Sequence, residues 1–345
     1  MPDRPPLFDL LHNDAVIEYF SSESVNEKNK EKLVPLAISV ALDATRPRVR
    51  IPQQEREEIL PDGRHRKVER WTEWQESKKY ASSSEYREER EKILTSSWEW
   101  TEKNKKELKE QLQYNLKCEG NLGDTYFFWG RITNTIALGL VDTGLNFLYD
   151  EVGLEQFAYF MADCPDIISA QLEYYTEKSI QKIHHIPPEV KIQGIFIGED
   201  IASKDSTLFS PLFLKREFFP RLAKIITECH SHGIKVLFHS DGNLMNVLDD
   251  LVEAGIDVLN PIDIAAGMNI RQIHGRYPDL LMAGGIDANH LLPFAKPKDI
   301  KNAVRKAIDD TEGKIMVGSS TEVHNAIPLK NYLVLWNTVK KFKLN

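Results

Sequence analysis

With 345 residues, 41% of them hydrophobic, the chain carries enough apolar material for a large core. Its length suits a single α/β barrel, a fold typically built from about 250 residues and extended by insertions. A formal net charge of −8 offers no basic surface for nucleic acid or an anionic membrane. Three widely spaced cysteines and no apolar run near the ~18 residues of a membrane span argue against a disulfide framework and a transmembrane helix, and for a soluble, cytoplasmic protein.

The N-terminal stretch MPDRPPLFDLLHND is acidic, bears prolines and lacks the apolar core of a signal peptide. Helical segments follow over Asp14–Phe20 and Asn26–Val40, the second interrupted by Pro35. Residues 45–115 change character: they are strongly charged and hold Trp71, Trp74, Trp98 and Trp100. A Pro-Asp-Gly turn at 61–63 implies a hairpin, and the Glu/Lys/Leu-rich Glu85–Leu116 implies helix. This segment reads as an insertion within one domain spanning 1–345. Its tryptophans pack it down as large apolar anchors, and a lid is the sharper alternative.

Asp124–Gly130 suggests a strand that places Tyr126 near a substrate. Gly153–Ala162 and Pro165–His185 suggest helices, with His184 and His185 read as structural groups at a helix end. From residue 191 strands and helices alternate. Apolar runs at Ile192–Ile197, Ile234–Phe238, Ile256–Leu259, Leu280–Ile286 and Ile315–Gly318 are separated by helix patterns, one of them kinked or split at Pro220. The spacing predicts parallel strands joined by crossover helices, hence a distorted (β/α)8 TIM barrel; an open doubly wound sheet is the alternative.

Each of these runs ends in polar residues. They are Glu199 and Asp200; His239 and Asp241; Asn260 and Asp263; Asp287; and Glu322 and His324. Parallel strands bring their carboxyl ends to one face, so these groups are expected to share a rim. That many acids repel one another unless a cation or shared protons offset them. His239, Asp241 and either Glu322 or His324 are the candidate ligands of a divalent metal. Asp200, Asp263 and Glu199 are the candidate catalytic carboxyls; Asn260, Asp287, Tyr126 and Arg4 are candidate substrate contacts. The plainer alternative is that Asp241 caps the next helix and His239 bonds a neighbouring carboxylate. Gly318-Ser319-Ser320 permits a close approach at a strand end.

The segments IFIGEDIASKDSTLFSPLFLKREFFPRL, KVLFHSDGN, EAGIDVLNPID, LLMAGGIDANHLL and GSSTEVHNAIPLKNYL, in that order, resemble the uroporphyrinogen decarboxylase superfamily. The resemblance covers about 190–340 closely and supports the single barrel. It implies one of two chemistries. The decarboxylase branch resembles itself in an N-terminal Arg-Gln-Ala-Gly-Arg-Tyr stretch that is missing here. Arg4 stands near its position, with Arg46, Arg48 and Arg50 as weaker substitutes, and the branch's Gly-His-Gly is replaced by Gly318-Ser319-Ser320. The cobalamin-dependent methyltransferase branch holds zinc through His-x-Cys after the strand matching Lys235–Phe238. Here His239 matches and Asp241 replaces the cysteine, leaving zinc, iron or manganese as possible metals. The resemblance thus implies a methyltransferase-like enzyme acting with a small substrate and a corrinoid, the latter carried by a partner protein, with a homodimer possible. A lyase of tetrapyrrole metabolism and a non-catalytic tetrapyrrole-binding module are the alternatives.

Overall fold

The computed structural model describes residues 3–45, 51–95, 100–127 and 141–344. Arg46, Arg48, Arg50, Trp98 and the 128–130 end of the strand expected at Asp124–Gly130 lie outside the described residues.

Eight short parallel strands form the frame: β1 (Phe8–Asp9), β2 (Ala44–Thr45), β3 (Tyr126–Phe127), β4 (Gly194–Gly198), β5 (Lys235–His239), β6 (Val258–Ile262), β7 (Leu281–Ile286) and β8 (Ile315–Ser319). β4 to β8 pair as one sheet in sequence order, and β1 to β3 pair as another. The two meet where Leu7 bridges Val317 in parallel, with the Val317 N–H donating to the Pro6 carbonyl at 2.8 Å. The strands therefore run in sequence order from β4 to β8 and on to β1, β2 and β3. Among the described residues the reversal of strand order that marks a doubly wound sheet does not occur. Among the described residues no pairing joins β3 to β4.

The strands read as near-continuous apolar runs because both faces are buried, as covered parallel strands require. Successive side chains alternate between the two faces. On β4, Ile195 and Ile197 join the large outer core, whereas Phe196 packs against a separate inner cluster; on β5, Val236 and Phe238 point outward and Leu237 inward. That inner cluster takes Phe8, Ala44, Leu237, Val258, Ala283 and Met316, with Tyr126, Phe196 and Leu281 against it, so every one of the strands contributes to it.

The helices form the outer layer. Pro35 does not interrupt its helix, which runs unbroken over Lys30–Ala41. Pro220 splits its segment as expected, by a defined device. The short helix Pro211–Phe213 passes through a π-helical turn, Leu214–Phe218, into Phe219–Ser231, where the proline occupies the first turn and needs no intrahelical donor.

Between β2 and β3 the hairpin expected around Gly63 is a three-stranded antiparallel sheet (Arg56–Ile59, His65–Val68, Glu73–Gln75), followed by helices Ser83–Thr95 and Glu102–Asn121. Trp71 is buried and stacks on His12 with ring centres 5.3 Å apart, Trp100 stacks on His185 at 4.1 Å, and Trp74 stays 60% exposed. Arg70 grips the Asp14 carboxylate with bonds of 2.6–2.9 Å, and Arg90 reaches Glu151 at 2.5 Å. No helix among the described residues is long and apolar enough to cross a membrane.

Candidate functional site

Strand register decides which polar groups meet. On β4 and β5, Gly198 lies opposite His239, so Asp200 and Asp241, each two residues further on, come side by side. On β5 and β6, His239 lies opposite Asn260. The result is a cluster at the carboxyl ends of these strands in which donor atoms of Asp200, His239 and Asp241 all lie within 4.8 Å of one another. His239 Nε2 is 3.8 Å from Asp200 Oδ1 and 4.0 Å from Asp241 Oδ1.

The orientation of His239 follows from its other nitrogen. Nδ1 is 2.8 Å from Asn260 Oδ1, while Asn260 Nδ2 donates to the Ala283 carbonyl on β7 at 3.3 Å. With the amide so oriented its oxygen must accept, which places the imidazole proton on Nδ1 and the lone pair of the neutral ring on Nε2, facing both carboxylates. A ligating histidine is normally held by such a hydrogen bond to the ring nitrogen away from the metal. His239 is mostly buried beside the Phe196 ring, whereas the Asp200 and Asp241 side chains are 44% and 48% exposed. A nitrogen lone pair and two carboxylates converging from one buried and two open positions are a donor set that fits a divalent cation.

The carboxylates are placed by backbone chemistry. The Asp241 N–H donates to Asp200 Oδ1 at 2.9 Å, and the following Gly242 has φ +91°, which allows the chain to turn away close to the Ala202–Ser203 backbone. Asp200 is pinned by the helix Leu145–Val152: its N–H donates to Asn146 Oδ1 at 2.8 Å, and its carbonyl accepts from the Tyr149 hydroxyl at 2.7 Å. Glu199 holds the amino end of that helix. Fully buried, it accepts from the Thr143 N–H at 2.5 Å, the Thr143 hydroxyl at 2.7 Å and the Asn146 N–H at 2.9 Å. It faces the interior and acts on the cluster through Asn146 and Tyr149.

Burial, reinforced by the nearby Asp142 charge, pushes the Glu199 carboxyl up to about 8 from an ordinary 4.5. A raised carboxyl contributes stability that is whole below its unfolded value and is lost as pH rises through the folded one. Relative to Glu199→Gln, wild-type protein should therefore lose stability between about pH 5 and about pH 8, read as denaturation midpoints at the two values. A gap that does not change with pH would mean that Glu199 is ionised in place.

The remaining expected residues fall in several places. Asp263 and Asp287 follow β6 and β7. The Asp263 carboxyl accepts from the Ala265 and Ala266 N–H groups at 3.0 and 3.3 Å, and is raised above its ordinary value by burial, with Asp287 adding repulsion. Asp287 caps the turn through the Asn289 and His290 N–H groups at 2.7 and 2.9 Å. Glu322 and His324 follow β8, three strands from β5, and are not members of the three-donor cluster; His324 Nε2 lies 3.1 Å from the Ala288 carbonyl. Tyr126 belongs to the inner cluster. Burial, with charge from Glu119 and Asp257, pushes its hydroxyl up to about 12; Asp257 immediately precedes β6 at its amino end.

Arg4 also lies at the amino ends. It makes a two-pronged salt bridge to Asp43, 2.7 Å on each side, just ahead of β2, and Asp43 also accepts from the Leu7 N–H at 2.8 Å. Of the plainer alternatives, His239 bonds an amide rather than a carboxylate through Nδ1, and the next turn is capped by Asn243, which accepts from the Met245 N–H at 3.0 Å.

Sequence reasoning passed over Asp9. Buried at the end of β1, it accepts from the Ser319 N–H at 2.9 Å and hydroxyl at 2.6 Å. It ends a strand of two residues, too short to leave a periodic signal.

By fold and site, then, this is an α/β protein of the kind that gathers polar groups at the carboxyl ends of parallel strands. The family model for uroporphyrinogen decarboxylase (URO-D) matches residues 150–342, and the chain belongs to that family. Among solved structures it is similar to a methyltransferase from Methanosarcina mazei, at 14% identity and a TM-score of 0.68, covering 99% of this chain and 95% of that one. No curated protein sequence matches it.

Proposed function

We propose that the chain is a methyltransferase-like enzyme of the URO-D superfamily, moving a methyl group between a small substrate and a corrinoid carried by a partner protein. The observation that carries this reading is the cluster of Asp200, His239 and Asp241 with Asn260 behind the histidine. In this reading the eight strands close as a (β/α)8 barrel around the inner cluster, the whole chain is one domain, and 45–115 is an insertion within it.

A divalent metal, zinc, iron or manganese, bound by these three residues supplies Lewis acidity toward the substrate's polar group. Asp200 takes the place expected of Glu322 or His324. Asn260 keeps the His239 lone pair aimed outward, and the half-exposed carboxylates leave the face open to a ligand. Asp263, with its raised carboxyl, is suited to hold or accept a proton at the substrate. The engagement of Arg4 by Asp43 at the far ends of the strands supports this reading over a decarboxylase that grips substrate carboxylates with an N-terminal arginine.

The test follows the visible spectrum of methylcobalamin with a panel of small thiol, amine and hydroxyl acceptors. Wild type should demethylate it with at least one acceptor, and Asp263→Asn should slow the reaction by roughly 100-fold or more. Carbon dioxide release from a porphyrinogen without any corrinoid demethylation would overturn the reading.

A further inference from the structure

Away from the strand ends, two outer helices, Pro165–His184 and Phe219–Ser231, lie side by side. Their register is fixed by Glu173, whose carboxylate takes Arg221 Nε at 3.0 Å and Lys224 Nζ at 2.6 Å. About three turns further on, their carboxyl ends converge. His184 is the last residue of one helix, His232 caps the other, and Glu228 lies one turn before His232 on the same face.

We propose that His184, Glu228 and His232 form a second transition-metal site, one that ties these two helices together. Glu228 Oε1 lies 3.4 Å from His184 Nδ1 and 3.2 Å from His232 Nε2, and donor atoms of all three residues fall within 4.8 Å of one another. A tetrahedral centre with bonds of about 2.0–2.1 Å has donor-to-donor edges of roughly 3.3–3.4 Å, so the two edges through Glu228 already match and only the third needs to close. Two imidazoles and one carboxylate are the donor set of zinc and its neighbours rather than of calcium or magnesium. The terminal carbonyls of both helices add negative potential at the spot. Side-chain exposures of 65% for His184, 31% for His232 and 22% for Glu228 leave room for a water as fourth ligand.

A metal that binds only the folded chain stabilises it. It would link the helix ahead of β4 to the helix ahead of β5. The site shares no residue with the strand-end cluster, so the two can be titrated separately.

The experiment uses the full chain, made without an affinity tag, stripped with a chelator and titrated with zinc. Wild type, His239→Ala, His184→Ala, His232→Ala and the double variant His239→Ala/His184→Ala are compared by equilibrium dialysis and thermal unfolding. Wild type should bind two zinc ions, each single variant one and the double variant none, with zinc affinity at the helix site falling at least about tenfold when either imidazole is removed. In the His239→Ala background zinc should still raise the unfolding temperature, and His184→Ala should erase that rise. If His239→Ala protein binds no zinc, or if His184→Ala and His232→Ala bind as much as wild type, the proposal is overturned. Failure of the strand-end reading looks different: wild type would then bind one ion, lost with His184→Ala and kept with His239→Ala.

Discussion

His239→Ala is expected to abolish the metal binding proposed for the strand-end cluster, with the loss read by elemental analysis of untagged protein and by zinc titration. The substitution deletes the buried nitrogen donor and leaves the Asp200 and Asp241 carboxylates, 44% and 48% exposed, to hold an ion by themselves. Two solvated carboxylates suit a hard, weakly held cation better than zinc. Asn260→Ala is the finer probe. It keeps every ligand but frees the ring to turn or change tautomer, and should cost about 10–100-fold in metal affinity, the usual loss when the group that orients a histidine ligand is removed. Asp200→Ala should match Asp241→Ala, whereas Glu322→Ala should leave binding unchanged. Undiminished metal in the His239→Ala protein would refute the assignment.

The second large effect is on stability. Gly318→Ala should destabilise the fold by more than about 3 kcal/mol, at the upper end of what overpacking costs. A Cβ at this position would overlap the Phe8 carbonyl oxygen, a backbone atom that cannot swing aside. Relief requires β1 to move off β8. That would break the bridge at Leu7 and Val317, expose Leu7 and Phe8, now 1% and 3% exposed, and strip Asp9 of its two bonds to Ser319. Urea unfolding of the variant measures it; a midpoint within about 0.5 kcal/mol of wild type would show that the seam tolerates separation.

Sequence reading located the strands with five or six residues and missed the brevity of the others. β4 to β8 show as apolar runs because both their faces are buried, whereas β1 and β2 pair over only two residues each and leave no run to detect. The residue types of the cluster were also legible: a histidine at the end of β5 with an aspartate after it, and acids after β4. The third member of the cluster was not, because it depends on register. Gly198 opposite His239 is a statement about two backbones, and only that alignment selects Asp200 over Glu322 and His324. A signal was nonetheless present, since Asp200 and Asp241 share the same offset from the ends of neighbouring strands. Glu199 carries the opposite lesson. As an acid just past a strand end it resembles its neighbour in sequence, yet the alternation continued from the strand turns Glu199 toward the helix layer, to Thr143 and Asn146, and Asp200 to the other side, where the cluster forms. Gly318, read as permitting a close approach at a strand end, admits the backbone of β1.

The seam between β1 and β8 also constrains the order of events during synthesis. Asp9 and Ser319, bonded to each other, are 310 residues apart in sequence, so β1 leaves the ribosome long before the strand it completes exists. Contacts of such long range slow folding, because a large loop must close before any bond rewards it. Until then Leu7 and Phe8 remain exposed apolar residues beside an unpaired strand edge, the kind of surface that chaperones cover and that aggregates when they do not.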